Sequence, residues 1–157
     1  MTVRKAEEKD FPKIMELLEG IAALHHSGRP DLFREGRFSK YTAGQLPAVI
    51  ANPDTPVFVA ADENDAVAGY VFCTVKRTHE HPVFRDFTAL YIDDFCVDPC
   101  RRRQGVGHLM MDAVKAYAKA ERFHHIDLNV WEFNESAIRF YESCGMTTQR
   151  RYMEILL

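Results

Sequence analysis

The stretch RRRQGVGHLM, residues 101–110, joins three consecutive arginines to the start of an amphipathic helix. From Val106 onward, apolar residues recur at the helical spacings i, i+3, i+4, i+7 and i+8, which predicts one helix over residues 104 to about 121. The N-terminal end of a helix already carries about half a unit of positive charge, so acidic residues are normally favoured there. Arginines at this end therefore predict that an anion binds in front of the helix.

Two glycines, Gly105 and Gly107, strengthen the prediction of an anion site. Glycines let the backbone approach a ligand, and the free amides of a first helical turn point toward it, which suits a diphosphate. A P-loop is excluded because the Gly-Lys-Ser/Thr ending is missing. A dinucleotide-binding turn with Asp127 as the ribose acid is an alternative, although Met110 replaces its third glycine. The other alternative is a solvated basic turn in which the glycines only allow the backbone to bend and bind no ligand.

The composition is that of an ordinary globular protein. A chain of 157 residues, 46% hydrophobic and 27% charged, suits one domain over residues 1–157. A net charge of −3 argues against nucleic acid as a partner. No signal peptide or membrane-spanning run is visible, so we expect a cytoplasmic protein without a membrane partner. The four cysteines and seven histidines lack metal-ligand spacing, so we expect free thiols and no metal.

Periodicity along the chain predicts one α/β domain. Strands are predicted at residues 2–6, at 89–97, at 125–131 and at 151–157, with a hairpin over 56–75. Helices are predicted at residues 9–24, 42–51, 104–121 and 134–144.

Two motifs together resemble the GNAT N-acetyltransferase superfamily. FCVDPCRRRQGVGHLM resembles the family's central motif, Arg or Gln followed by x-x-Gly-x-Gly or Ala, with Arg102 in the first position. NVWEFNESAIRFYESCGM is similar to its second signature, Asn-x-x-Ala-x-x-x-Tyr followed by glycine. The matching residues are Asn134, Ala137, Tyr141 and Gly145. The order of predicted elements agrees with the family over essentially the whole chain.

The resemblance implies acetyl-coenzyme A as co-substrate. It also implies an α/β fold of the α+β type, with a mixed, largely antiparallel sheet that is flanked by helices and whose central strands splay apart. It implies a diphosphate site at Arg102, Arg103, Gln104, Gly105, Val106, Gly107 and His108. It also implies that the pantetheine arm runs along the backbone of Phe95, Cys96 and Val97. Asn134 is sufficiently explained as a helix N-cap, and the resemblance adds a coenzyme contact. Arg103 stands where many family members have glycine.

Tyr141 is the candidate catalytic residue. A phenol with an ordinary pKa near 10 is protonated at neutral pH and can donate to the departing thiolate of a thioester. Periodicity alone favours core packing beside Phe140, and the motif favours catalysis.

Asp93 and Asp94 lie in LYIDDFCV, a run otherwise suited to burial. Adjacent strand residues point to opposite faces, so at least one carboxylate should enter an apolar region and need a cation. That cation is either internal, Arg85 or Arg139, or the ammonium of a substrate. We expect Asp93 to contact the substrate and Asp94 to be structural.

The run LYIDDFCV is also similar to that of diamine acetyltransferases, in which paired acids hold a polyamine. This favours a small cationic primary amine as the acceptor. A protein N-terminus, an antibiotic amine and a non-catalytic acyl-coenzyme A-binding module are the alternatives. The sequence leaves a homodimer open.

Overall fold

The computed structural model describes residues 1–36 and 38–157 and forms one sheet with helices on both faces. The described strands are β1 (Thr2–Lys5), β2 (Val57–Ala61), β3 (Val67–Thr78), β4 (Phe87–Val97) and β5 (Ile126–Leu128). The helices are α1 (Phe11–Gly28), α2 (Leu46–Ala51), α3 (Val106–Ala120) and α4 (Glu135–Ser143), with short 3-10 turns at Glu8–Asp10 and Pro99–Arg101. Among the helices that the structure describes, none is long and apolar enough to cross a membrane.

The strands lie in sequence order, β1-β2-β3-β4-β5. The first three pairings are antiparallel and β4 pairs with β5 in parallel. A parallel pair requires a crossover connection, and α3 supplies it. The prediction of a mixed, largely antiparallel sheet flanked by helices is confirmed.

Alternation along the strands divides the core between the two faces of the sheet. Tyr70 and Phe72 of β3 pack with Ile14 of α1 on one face, which we call the α1 face. Val71 of β3 and Met110 of α3 belong to the core of the opposite face, which we call the α3 face. Each face of the sheet thus has its own helices. Side chains from both faces can therefore contact a ligand that lies between two strands.

β4 and β5 separate after a short pairing. Their register joins Leu90 to Ile126, Tyr91 to Asp127 and Ile92 to Leu128. From residue 93 to residue 97, β4 pairs with β3 alone within the described part of the chain. This is the predicted splay, and it leaves one backbone edge of β4 free. We call this opening the β4–β5 gap.

A β-bulge in β4 changes the directions of the acidic pair. Phe72 lies opposite Asp94 and Cys73 lies opposite Ile92, so Asp93 is an extra residue in β4. Asp94 contacts Tyr70 and Asp93 contacts Tyr41, and both tyrosines belong to the α1 face. The prediction that the two carboxylates point to opposite faces is therefore wrong, because the bulge interrupts the alternation.

Several predicted boundaries also differ. The strand predicted at residues 151–157 is wrong, because these residues are exposed and have no regular structure. A strand needs a partner to satisfy its backbone, and local propensity does not provide one. The helix predicted from residue 42 begins at Leu46, because Thr42 and Gln45 form a turn in which the Gln45 side chain accepts from the Thr42 amide at 2.9 Å.

Candidate active site

The turn before α3, residues 101–108, is the candidate anion site, and we call it the cradle. Gly105 adopts a φ of 81°, and Leu109 donates the first intrahelical hydrogen bond to its carbonyl at 3.0 Å. The amides of Val106, Gly107 and His108 precede that bond, so the helix itself does not use them. Three adjacent N–H groups at the positive end of a helix can bind a diphosphate.

The three arginines have different surroundings. Arg101 forms an ion pair with Asp62 at 3.0 Å, which fastens the cradle to the turn between β2 and β3. Arg102 donates from Nε to the Val97 carbonyl at 3.2 Å and so joins the cradle to the end of β4. Arg103 is exposed. In the described part of the chain, Arg102 and Arg103 form no ion pair with a carboxylate, so their guanidinium charges are available to an anion.

Arg103 occupies a backbone conformation that favours glycine, since its φ is 59°. An L-residue in this region is strained by about 1–2 kcal/mol, and the extra entropy that glycine loses on folding offsets part of that. We expect Arg103→Gly to raise the free energy of unfolding by about 0.5–1 kcal/mol in urea titrations. Arg122, also at 59°, should respond alike, whereas Arg102, at −67°, should gain nothing. Equal responses at positions 102 and 103 would contradict this explanation.

Gly107 and His108 position α4 against the cradle. A Cβ on Gly107 would lie 3.0 Å from the Phe140 ring, so a side chain at this position would require the ring to shift by a few tenths of an ångström. His108 Nε2 lies 3.1 Å from Ser143 Oγ, near the C-terminal end of α4. The first turn of α3 therefore fixes the place of the helix that carries Tyr141.

Asn134 is the N-cap of α4, as predicted. Its Oδ1 accepts from the Ala137 amide at 3.2 Å and from the Ser136 hydroxyl at 3.1 Å. The cap uses the oxygen of the side chain, so the amide N–H groups of Asn134 are those that could serve a ligand.

Tyr141 lies on the α3 face beside the β4–β5 gap. Its ring centroid is 6.2 Å from that of Phe95 on β4 and 5.2 Å from that of Phe140. Burial, and then the negative charge of Asp94, raise the pKa of Tyr141 above its ordinary value. The phenol is therefore protonated at neutral pH, as a proton donor must be. Asp94 lies in the part of β4 that does not pair with β5, and Tyr141 packs against Phe95 in the same part, so the acid and the tyrosine flank the same gap.

The two carboxylates have different environments on the α1 face. Asp94 accepts a hydrogen bond from the Tyr70 hydroxyl at 3.2 Å, and burial raises the pKa of Asp94 to about 6. Asp93 is contacted by the Lys40 ammonium and by the Tyr41 hydroxyl, the latter at 3.3 Å. A carboxyl with this pKa gains or loses a proton near pH 6. Asp93 binds a cation, the ammonium of Lys40.

The internal partners predicted for the acidic pair are wrong, since neither arginine contacts it within the described part of the chain. Arg85 is exposed in the loop before β4. Arg139 forms an ion pair with Glu135 at 3.0 Å on α4. The partner of Asp93 is Lys40, which the loop between α1 and α2 brings across the sheet. Sequence reasoning missed Lys40, Tyr41 and Tyr70, because a contact between residues 40 and 93 leaves no local signal.

Buried thiols are unsuited to covalent catalysis here. Burial raises the pKa of Cys96 and of Cys73 to about 12, and it also raises the pKa of Cys144. The thiolate is the nucleophilic form, so these three cysteines are inert at neutral pH. Within residues 1–36 and 38–157, no three His, Cys, Asp or Glu side chains gather where they could hold a metal ion.

The sequence model of the acetyltransferase (GNAT) family matches residues 18–146, from within α1 to just beyond α4. The chain belongs to this family. It is 32% identical over 97 residues to an L-ornithine N5-acetyltransferase of Arabidopsis thaliana. That match covers 61% of this chain, and the chain spans only 41% of the length of this relative.

Solved structures share the fold of this chain. A tetramutant of the BH1408 protein of Bacillus halodurans superposes with a TM-score of 0.94 at 32% identity, over 100% of both chains. An aminoglycoside acetyltransferase from an uncultured soil metagenomic sample superposes with a TM-score of 0.74. It is 21% identical and the match covers 99% of this chain and 94% of that one, which shows a shared fold.

GNAT acetyltransferases use acetyl-coenzyme A as co-substrate, and two features of this structure fit that molecule. The cradle presents the amides of Val106, Gly107 and His108 to a diphosphate. The free edge of β4 presents backbone groups of residues 95–97 to the amide-bearing pantetheine arm, although the Val97 carbonyl already accepts from Arg102. The Arg102–Val97 hydrogen bond joins the turn before α3 to this free edge of β4.

Proposed function

We propose that this GNAT domain transfers an acetyl group from acetyl-coenzyme A to a small cationic primary amine. One observation carries the choice of acceptor: a primary ammonium, that of Lys40, already rests on Asp93, where the Tyr41 hydroxyl donates to the same carboxylate oxygen. The Lys40 ammonium is also 5.7 Å from the centre of the Tyr41 ring. A carboxylate beside an aromatic ring suits a substrate ammonium equally well.

Lys40 can give way to a substrate. Its side chain is 44% exposed and that of Asp93 is 22% exposed, so the pair is near the surface. Exposed ion pairs of this kind contribute about 0–1 kcal/mol. A substrate ammonium can therefore displace Lys40 at little cost, and Lys40 acts as an internal competitor.

The acetyl transfer uses groups from both sides of the β4–β5 gap, the acidic pair on the α1 face and Tyr141 on the α3 face. Acetyl-coenzyme A supplies a thioester whose carbonyl carbon is the electrophile. Asp94 accepts the proton that the ammonium gives up, which frees the nitrogen lone pair to form the new C–N bond. Tyr141 donates its proton to the sulfur as the C–S bond breaks. The second proton, which the nitrogen loses on becoming an amide, restores the Tyr141 phenol, and Asp94 releases its own proton to water. Asp93 holds and orients the amine.

Support from relatives is limited to the class of acceptor. The relative of Arabidopsis thaliana is named for acetylation of the N5 amine of ornithine, which is a small primary amine. A protein N-terminus and an antibiotic amine are the other acceptors, and a non-catalytic acyl-coenzyme A-binding module would not need Tyr141. A cytoplasmic location, a single domain over residues 1–157 and the absence of metal and of nucleic-acid partners stay predictions.

A free-thiol release assay over a panel of diamines, amino acids, aminoglycosides, peptides and neutral amines tests the proposal. We expect the highest kcat/KM for a small cationic amine. Asp93→Asn should raise the KM for that amine about tenfold or more, because it removes a charge-assisted hydrogen bond. Lys40→Gln should lower the same KM by up to about fivefold, because it removes the competitor.

The opposite directions of these two variants are the critical result. If the KM rises in both, Lys40 helps to bind the substrate and is no competitor. If neither KM changes and neutral amines react equally well, the acidic pair does not select the acceptor. No thiol release with any amine would favour the non-catalytic module.

A further inference from the structure

Lys40 occupies the place that the proposed function gives to a substrate ammonium. Its Nζ contacts Asp93 Oδ2, the atom to which the Tyr41 hydroxyl also donates at 3.3 Å. Among the ion pairs of the described residues, Lys40 is the lysine that reaches the acidic pair of β4. A lysine side chain ends in a primary amine, so the chain presents an acceptor of the proposed chemical class to its own site.

The segment that carries Lys40 is held on the α1 face by its neighbours. The Tyr41 ring stacks on the buried Phe72 ring, with centroids 5.2 Å apart and planes at 28°. The Ser39 hydroxyl donates to Met15 Sδ of α1 at 3.8 Å, and its oxygen accepts from the Tyr41 amide at 3.4 Å. An amine tethered in this way has a high effective concentration at the site, because its delivery is intramolecular.

The groups that the proposed transfer needs lie close to this amine. Burial raises the pKa of Asp94 to about 6, and the Tyr70 hydrogen bond and the positive charge of Lys40 oppose that rise, so the ammonium and this carboxylate interact. Asp94 also borders the β4–β5 gap, which Tyr141 flanks from the α3 face. The Lys40 side chain is 44% exposed and has a flexible four-carbon stem, so the amine can turn from Asp93 toward the gap.

We infer that the domain acetylates Nζ of its own Lys40 when acetyl-coenzyme A is bound and no substrate amine occupies Asp93. The inference rests on the proposed function, since it uses the same site. Asp94 takes a proton from the Lys40 ammonium, and the neutral nitrogen forms a C–N bond with the thioester carbonyl carbon. The C–S bond breaks, and coenzyme A leaves as a thiol that carries the Tyr141 proton. The second proton lost by the nitrogen restores the Tyr141 phenol, and Asp94 releases its proton to water.

Acetylation of Lys40 changes the acceptor site. The product is a neutral amide, which no longer forms an ion pair with Asp93. The internal competitor is thereby removed, and the Asp93 carboxylate is free for a substrate ammonium. One transfer within the chain thus lowers the KM of the enzyme for later amines.

Incubation of the full chain with acetyl-coenzyme A that carries an isotope-labelled acetyl group, without an added amine, tests the inference by peptide mass spectrometry. We expect labelling of Lys40 at least about tenfold faster than that of Lys115, at a fractional rate independent of protein concentration. Lys115 is the matched control, because its side chain is 37% exposed and also hydrogen-bonded, but on α3. Tyr141→Phe should lower the rate at Lys40 to that at Lys115, and an added small cationic amine should slow it by competition.

Kinetics after the same incubation measure the effect on the acceptor site. The KM for the small amine should fall by up to about fivefold in the unaltered chain, as expected for Lys40→Gln. Lys40→Arg keeps a positive charge for Asp93, but its guanidinium stays protonated and is a poor nucleophile. This variant should therefore carry no label at position 40, and its KM should be the same before and after incubation.

Two results would overturn the inference. One is labelling of Lys40 no faster than that of Lys115, and the other is a fractional rate that rises with protein concentration, which would show transfer between copies. If added amines still release thiol in those samples, the proposed function stands without the inference. If neither Lys40 nor any amine accepts the acetyl group, both are wrong.

Discussion

Replacing Tyr141 with phenylalanine should lower kcat about a hundred- to ten-thousand-fold, the usual contribution of a general acid. The change removes one hydroxyl and little volume, and the ring contacts with Phe95 and Phe140 remain. The Kd of acetyl-coenzyme A should change by less than about threefold, because the amides of the cradle are untouched. A kcat effect without a binding effect is the signature of an interaction made in the transition state.

Steady-state kinetics and isothermal titration with acetyl-coenzyme A measure the two effects separately. Tyr117→Phe is the matched control, since this tyrosine is also partly buried but packs on α3 against Phe58 and Phe123. It should leave kcat within about twofold of the unaltered enzyme. If kcat of Tyr141→Phe falls by less than about threefold, water or another group protonates the departing sulfur.

The cradle and α4 could be predicted from the sequence because their signals are local. The apolar spacing after Val106 sets α3, and the glycine at 105 marks its start with a positive φ. Asn134 and Gly145 bracket α4, through an N-cap hydrogen bond and a φ of 87°. In such segments, each residue contacts its partner within one or two helical turns along the chain.

The acidic pair could not be placed in the same way, because its geometry depends on register. A single extra residue in β4 turns Asp93 to the same face as Asp94, and only the pairing with β3 reveals it. Lys40 reaches Asp93 across 53 positions of sequence. The strand predicted at residues 151–157 fails for the related reason that strand propensity does not identify a partner.

Asp94→Asn should lower kcat/KM for the amine about a hundredfold or more at pH 7.5, because the proton acceptor is lost. In the unaltered enzyme, the pKa of Asp94, which burial raises to about 6, predicts that kcat/KM falls as the pH drops below about 6. The variant should lose this acidic limb. Asp93→Asn is the control, since it should raise KM and retain the limb.

Stability distinguishes a proton acceptor from half of an internal ion pair. Because burial raises the pKa of Asp94, its ionised form is less stable in the folded chain than in the unfolded one. Its contribution to stability is therefore present when the carboxyl is protonated and is lost as the pH rises through about 4 to about 6. Asparagine cannot ionise and can still accept from the Tyr70 hydroxyl, so Asp94→Asn should be at least as stable as the unaltered chain at pH 7.5. A buried ion pair predicts the reverse, a loss of about 3–5 kcal/mol. Thermal melting at pH 4.5 and 7.5 separates the two, and a less stable variant at pH 7.5 with an intact acidic limb would remove Asp94 from the proposed mechanism.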